Sequence, residues 1–195
     1  MSNRRKIEIM DTTLRDGEQT NNVSFSATEK LTIAKLLLEE LHVDRIEIAS
    51  TRVSEGEFNA VKGITEWASE AGFIDKIEVL SFVDKGLSID WMVKTGAKVQ
   101  NLLTKGSLNH LKHQLKKKPE KHFNEIAESI RIGLENNIDT NVYLEDWSNG
   151  MRNSPEYVFQ FLDFLAEQPI KRLLLPDTLG VLTPAESYDF IKQVK

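Results

Sequence analysis

The sequence predicts an α/β protein built on a parallel sheet: a (β/α)8 TIM barrel of which about six N-terminal βα units are present. Three observations carry that expectation. Short β-rich runs alternate with amphipathic helical patterns along the whole chain, and strands joined by helices must run parallel. Polar and chargeable residues gather where several of those strands end, at Arg15-Asp16, Glu47, Tyr143-x-Glu145 and Asp177-Thr178, and the C-terminal strand ends are where barrel enzymes assemble their sites. No Gly-x-Gly-x-x-Gly or Walker loop follows any strand, which weakens the nucleotide-binding forms of the doubly wound sheet. Periodicity alone does not separate the barrel from an open sheet.

Six strands are expected, at Ile7–Met10, Arg45–Ala49, Ile77–Val83, Val99–Leu103, Asn141–Leu144 and Arg172–Leu175. Between them lie stretches such as Leu31 to Leu38, whose apolar positions recur at helical spacing. Helix starts are legible. Ser26 with Glu29, Ser54 with Glu57, and Thr183 with Glu186 each fit a capping box, in which two side chains reciprocally satisfy orphan amides. Pro155 and Pro184 follow Ser154 and Thr183 at the first helical position, where a missing N–H costs nothing. A complete barrel takes about 250 residues for its eight units. The 195 residues here are therefore expected to form the N-terminal part of one catalytic domain, truncated before its last two units, with the pattern breaking off at Phe190-Ile191-Lys192-Gln193-Val194-Lys195.

Composition excludes several classes. A net charge of −5 argues against general nucleic-acid binding, which needs a dense basic face. The absence of cysteine removes disulfides, thiolate catalysis and Cys-ligated zinc together. The basic start Met1-Ser2-Asn3-Arg4-Arg5-Lys6 precedes too short an apolar run for a signal peptide, and no stretch is long and apolar enough to span a bilayer. The expected setting is cytoplasmic, with neither a membrane nor a nucleic acid as partner.

The most informative segment is Asp11-Thr12-Thr13-Leu14-Arg15-Asp16-Gly17-Glu18-Gln19. It sets acidic and basic groups around a glycine turn at one strand mouth, where a cation and an anionic substrate can meet. An Arg-Asp pair taken alone is more often a weak surface ion pair. The whole string resembles the signature of a metal-dependent carboligase and lyase superfamily that includes the isopropylmalate, homocitrate and citramalate synthases and the hydroxymethylglutaryl-CoA lyases. Three further stretches, Asn101 to Leu108, Asn141 to Gly150 and Leu175 to Leu182, most resemble the (R)-citramalate synthase family of bacteria.

That resemblance implies a reaction: condensation of acetyl-CoA with pyruvate to give (R)-citramalate, on a route to isoleucine. Such chemistry removes a weakly acidic C–H proton while a ketone oxygen gains negative charge. The resemblance makes Asp16 the carboxylate ligand of a divalent metal, with oxygen ligands suiting magnesium or manganese and zinc as a further option. Arg15 would bind substrate and stabilise oxyanion charge, Glu145 would be the general base or its positioning partner, and Thr178 would hold the substrate carboxylate. Leu80, Leu103 and Tyr143 would wall the methyl pocket, and Glu47 would lie behind the metal. The basic Lys105 to Lys121 segment, with His110, His113 and His122, reads first as a solvated helix face; in the alternative that the resemblance implies, Ser107 and His110 would be contacts of coenzyme A. Read without the resemblance, Glu145 is a capping or salt-bridged glutamate, Asp177-Thr178 an ordinary turn, and the leucines core.

The same family supplies a His-x-His pair and an asparagine from its last two strands, and none is present here. The expectation is therefore that this chain is inactive alone, and the resemblance implies that the complete protein is a homodimeric acyltransferase. The alternatives are an isopropylmalate or other 2-oxo acid synthase, or a non-catalytic barrel fragment.

Overall fold

The computed structural model describes residues 7–195, so the basic start Met1 to Lys6 lies outside the described residues. In chain order the elements are β1 (Met10–Asp11), α1 (Ala27–Lys35), β2 (Arg45–Ser50), α2 (Glu55–Ala71), β3 (Ile77–Phe82), α3 (Leu87–Thr95) and β4 (Val99–Lys105). They continue with α4 (Leu108–His110), α5 (Pro119–Glu135), β5 (Asp139–Glu145), α6 (Trp147–Asn153), α7 (Pro155–Ala166), β6 (Arg172–Leu174) and α8 (Pro184–Val194). The six strands form one sheet in the order β1-β2-β3-β4-β5-β6, with parallel pairing of β1 to β2, β2 to β3 and β5 to β6. A strictly sequential order is the topology of a (β/α) barrel; a doubly wound sheet reverses direction at its switch point. No helix among the described residues is long and apolar enough to cross a membrane.

By their contacts the residues fall into two compact units: the chain through Ser81 with Leu87–Gln100, and Phe82–Gly86 with Asn101–Lys195. In the first unit, Ile46 and Ile48 of β2 and Ile77 and Val79 of β3 are fully buried, joined in the core by Val61, Ile64 and Ala68 of α2. The intervening Glu47 and Glu78 are buried as well, as expected of parallel strands covered on both faces. A bulge breaks the β2–β3 register, with Glu47 opposite Glu78 but Ser50 opposite Leu80.

The expected first strand is displaced. Ile7 and Ile9 are 85% and 61% exposed, and the strand itself is Met10–Asp11. The backbone of Ile9 finds its partners at the entry to β2, donating to the Asp44 carboxylate at 2.9 Å and accepting from the Asp44 and Arg45 amides. Of the three capping boxes, those of Ser26 with Glu29 and Thr183 with Glu186 are complete. The Ser54 hydroxyl accepts from the Glu57 amide, but the Glu57 carboxylate is taken by Lys30 at 2.5 Å instead of returning to the cap.

The second unit has a largely aromatic core. Phe123 of α5 stacks on Phe161 and Phe164 of α7, with ring centres 5.0 Å apart in both pairs. Such pairs contribute about 0.5–1.5 kcal/mol beyond their area burial. Leu102 of β4 and Val142 and Leu144 of β5 pack into the same cluster, so the alternate residues Asn101, Leu103, Lys105 and Asn141, Tyr143, Glu145 face the other way. Two side-chain pairs bracket that opposite face: the Asn141 amide donates to Asn101 at 2.8 Å, and Lys105 pairs with Glu145.

Candidate active site

In the first unit, the turn after β1 is closed by one carbonyl. The amides of Arg15, Asp16 and Gly17 all donate to Thr12 O, at 3.1, 2.8 and 3.1 Å. This wound turn presents Arg15, whose Nε and Nη2 both reach Glu47 Oε2 at 2.5 Å, while Nη1 reaches Asp16 Oδ1 at 2.7 Å. Glu47 corrects the expectation of a strand-end glutamate. It is the third residue of β2, fully buried and paired with Arg15. A carboxylate in that position costs free energy unless it is paired, so Glu47 and Arg15 fix each other. The Asp16 side chain is 61% exposed.

The fit to a metal can be read from the donor set. Among the described residues, no three His, Cys, Asp or Glu side chains converge as a cation cage, and Asp16 already gives one oxygen to Arg15. A divalent ion with oxygen ligands needs about six of them. These residues therefore offer one ligand and do not build a metal site by themselves.

In the second unit, the ends of β4 and β5 meet. Glu145, the last residue of β5, pairs with Lys105, the last of β4. Lys105 is held at both backbone ends: its amide donates to His122 Nε2 at 3.3 Å, and its carbonyl accepts from the Tyr157 hydroxyl at 2.7 Å. Burial, reinforced by Lys117 nearby, pushes the His122 pKa down to about 4, which keeps Nε2 an acceptor at neutral pH. Burial pushes the Tyr157 phenol up. Leu103 and Tyr143 are half-buried on the same face as the Lys105–Glu145 pair, while Leu80 is 6% exposed in the first unit.

Asp146 organises the loops beyond these strands. It sits in the left-handed region at φ 63°, which an aspartate adopts at modest cost. Its amide donates to Thr178 Oγ1 at 2.9 Å, and its carboxylate accepts from Ser107 at 2.6 Å and Asn149 at 2.8 Å. Thr178 thus uses a lone pair internally and keeps its O–H to donate. Asp177 has a turn role: its carboxylate accepts from the Leu182 amide and the Ser148 hydroxyl, and these bonds hold its pKa below the usual range. Ser107 is buried with its hydroxyl committed to Asp146. His110 has Nε2 3.4 Å from Asp146 Oδ2 and lines a cavity of about 610 Å³ with Lys112, His113, Asn149 and Leu179. Of the segment expected as a solvated basic face, Lys112 to Gln114 is exposed and Lys105 half-buried, whereas Leu111 and His122 are buried.

Two glycines make this arrangement possible. A Cβ on Gly106 would lie 2.6 Å from Leu144 O, and one on Gly150 would lie 2.2 Å from Gly106 O. The turn after β4 can approach β5 and α6 this closely only because both positions lack side chains. Lys105, Asp146 and Lys30 are site residues that sequence reasoning did not single out. Lys30 carried a readable signal, because it shares the helical stripe of buried Ala34 and Leu37 and so places a charge at a core position.

The HMGL-like family model matches residues 6–195 of the chain. A 2-isopropylmalate synthase from Sulfurisphaera tokodaii is 36% identical over 98% of this chain and 48% of its own length. A Methanopyrus kandleri protein provisionally named (R)-citramalate synthase is 30% identical over 97% of this chain and 36% of its own. The chain spans about half the length or less of such curated relatives. Among solved structures, an HMG-CoA lyase from Bacillus subtilis superposes with a TM-score of 0.76 at 20% identity, covering 97% of this chain and 64% of the lyase. That likeness supports the partial-barrel fold.

Proposed function

Because this chain belongs to the HMGL-like family, we propose that the protein containing it condenses acetyl-CoA with a 2-oxo acid, and that the acid is pyruvate, giving (R)-citramalate and CoA. The observation that carries the reading is the face shared by β4 and β5. A carboxylate held by an ammonium group, Glu145 with Lys105, lies beside the apolar Leu103 and the ring of Tyr143.

In this reading Glu145 accepts, directly or through a water it orients, a proton from the methyl group of the thioester. The resulting carbon nucleophile attacks the ketone carbon of the oxo acid, forming the new C–C bond. The former ketone oxygen takes up negative charge and then a proton, and Arg15 stabilises that charge, a contribution typically of about 2.7–4 kcal/mol per donor. Thr178 donates its O–H to the substrate carboxylate. Water then cleaves the thioester and releases CoA. The proposal includes a divalent cation, magnesium or manganese, for which Asp16 would be one ligand in the complete protein. A cytoplasmic homodimer remains part of the same proposal.

The relatives named 2-isopropylmalate synthase favour a second reading, in which the acceptor is 2-oxoisovalerate. In the citramalate reading Leu103 and Tyr143 would limit the acceptor to a methyl group. Release of CoA, followed with a thiol reagent, separates the two readings. Pyruvate should be preferred by on the order of 10–200-fold for each extra carbon that must be accommodated, and Leu103→Ala should narrow the gap. Equal or faster turnover of 2-oxoisovalerate would replace the citramalate reading by the isopropylmalate one, and no CoA release with any 2-oxo acid would remove both.

A further inference from the structure

We infer that Lys30 is a positioning residue that holds the Arg15–Asp16 turn in place by gripping the chain on both sides of it. The inference deepens the function proposed above and rests on it for its kinetic consequence.

Lys30 is buried, its side chain only 1% exposed, a state that lysine almost never reaches unless paired. Its ammonium group has three donors and meets three oxygens: Leu14 O at 3.2 Å, Glu18 Oε2 at 2.5 Å and Glu57 Oε1 at 2.5 Å. Leu14 immediately precedes Arg15-Asp16, and Glu18 follows Gly17. Glu57 belongs to the first turn of α2. One cation therefore ties the two flanks of the turn to a helix of the first unit. Glu18 extends the tie, since its other oxygen accepts from the Phe25 amide at 2.8 Å.

Neither local helix stability nor packing explains this choice of residue. Lys30 lies in the first turn of α1, directly after Glu29, where the helix dipole disfavours a cation. A buried ion pair is often no more stabilising than apolar side chains of similar volume, so a methionine on this stripe would fill the core as well. What methionine lacks is the ability to bind the Leu14 carbonyl and to fix Glu18. The grip also has a cost on the other side, because Glu57 gives up the second half of the α2 capping box to make it. A cavity of about 350 Å³ lined by Leu14, Arg15, Glu18, Ser50 and Glu57 adjoins the turn, so the groups held by Lys30 border open space rather than solid core.

The test uses the protein containing this chain, with Lys30→Met and Glu18→Gln variants, hydrogen exchange read by mass spectrometry, and steady-state kinetics of CoA release. In Lys30→Met, exchange in residues 11–25, the Phe25 amide included, should accelerate by about tenfold or more while residues 123–165 exchange as in wild type. kcat should fall by about 100-fold, the scale of a small misplacement of reacting groups, with KM for acetyl-CoA within about threefold. Glu18→Gln should show the same pattern at smaller amplitude. A folded Lys30→Met protein with wild-type exchange in residues 11–25 would overturn the inference and leave Lys30 a packing residue, and unchanged kcat despite faster exchange would overturn its kinetic consequence. Should Lys30→Met fail to fold, Glu18→Gln decides by the same two criteria. If wild type releases no CoA, the functional reading falls, and the exchange measurements still decide whether Lys30 positions the turn.

Discussion

The close approach of Gly106 and Gly150 gives a prediction whose sign depends on tertiary structure alone. Gly150 lies inside α6, and a Cβ there would stand 2.2 Å from Gly106 O and 2.9 Å from Val158 Cγ2. Helix propensity favours alanine over glycine by about 1 kcal/mol. Overpacking opposes it by about 1–3 kcal/mol, and by more when nothing can yield. Here the nearer atom is backbone with no rotamer to change, so the upper part of that range applies and Gly150→Ala should lose about 2 kcal/mol net. Gly63 in α2 supplies the control, because nothing lies within 4 Å of its added Cβ. Gly63→Ala should gain about 0.5–1 kcal/mol. For a chain of this size each kcal/mol moves Tm by about 2–4 °C, so the two variants should diverge to opposite sides of wild type in thermal unfolding followed by circular dichroism. A Gly150→Ala protein as stable as wild type would refute the reasoning, and with it the claim that two bare Cα positions let the β4 turn lie against β5.

Two further outcomes follow from the same unit. His122 is neutral in the fold, with its pKa depressed from 6.5 to about 4, so its contribution is fully present above pH 6.5 and is lost as pH falls towards 4. Urea midpoints should drop across that window by an amount equivalent to at most about 3 kcal/mol, and His122→Gln, which keeps an acceptor for the Lys105 amide, should flatten the drop; an unchanged slope would exclude His122 as its source. Under the proposed function, Glu145→Gln should lower kcat by about 10²–10⁴-fold with the pyruvate KM retained, and wild-type turnover in that variant would exclude Glu145 from proton transfer.

What the sequence determined is whatever depends on local periodicity and local chemistry. Alternating β-rich and helical runs fix six βα units because each pattern can bury its apolar side in only one kind of element. Ser26 and Thr183 announce helix starts because a cap and its N3 partner are three residues apart in any context. The string from Asp11 to Gln19 marked one strand mouth as chemically unlike a core. Tertiary structure decided everything that depends on which side chain meets which across the sheet. Ile7 and Ile9 look like strand interior, yet both are exposed, and the backbone of Ile9 bonds to Asp44 and Arg45 at the entry to β2. Glu47 reads as one of the strand-end polar residues, and the register places it mid-strand, buried against Arg15. Glu57 fits a capping box, and Lys30, 27 positions away, takes its carboxylate. Lys105 reads as part of a basic run until β4 and β5 pair and bring it to Glu145, 40 positions away. Burial turns such encounters from optional to obligatory, since a charge withdrawn from water must find its partner within the fold, and separation along the chain says nothing about where that partner is.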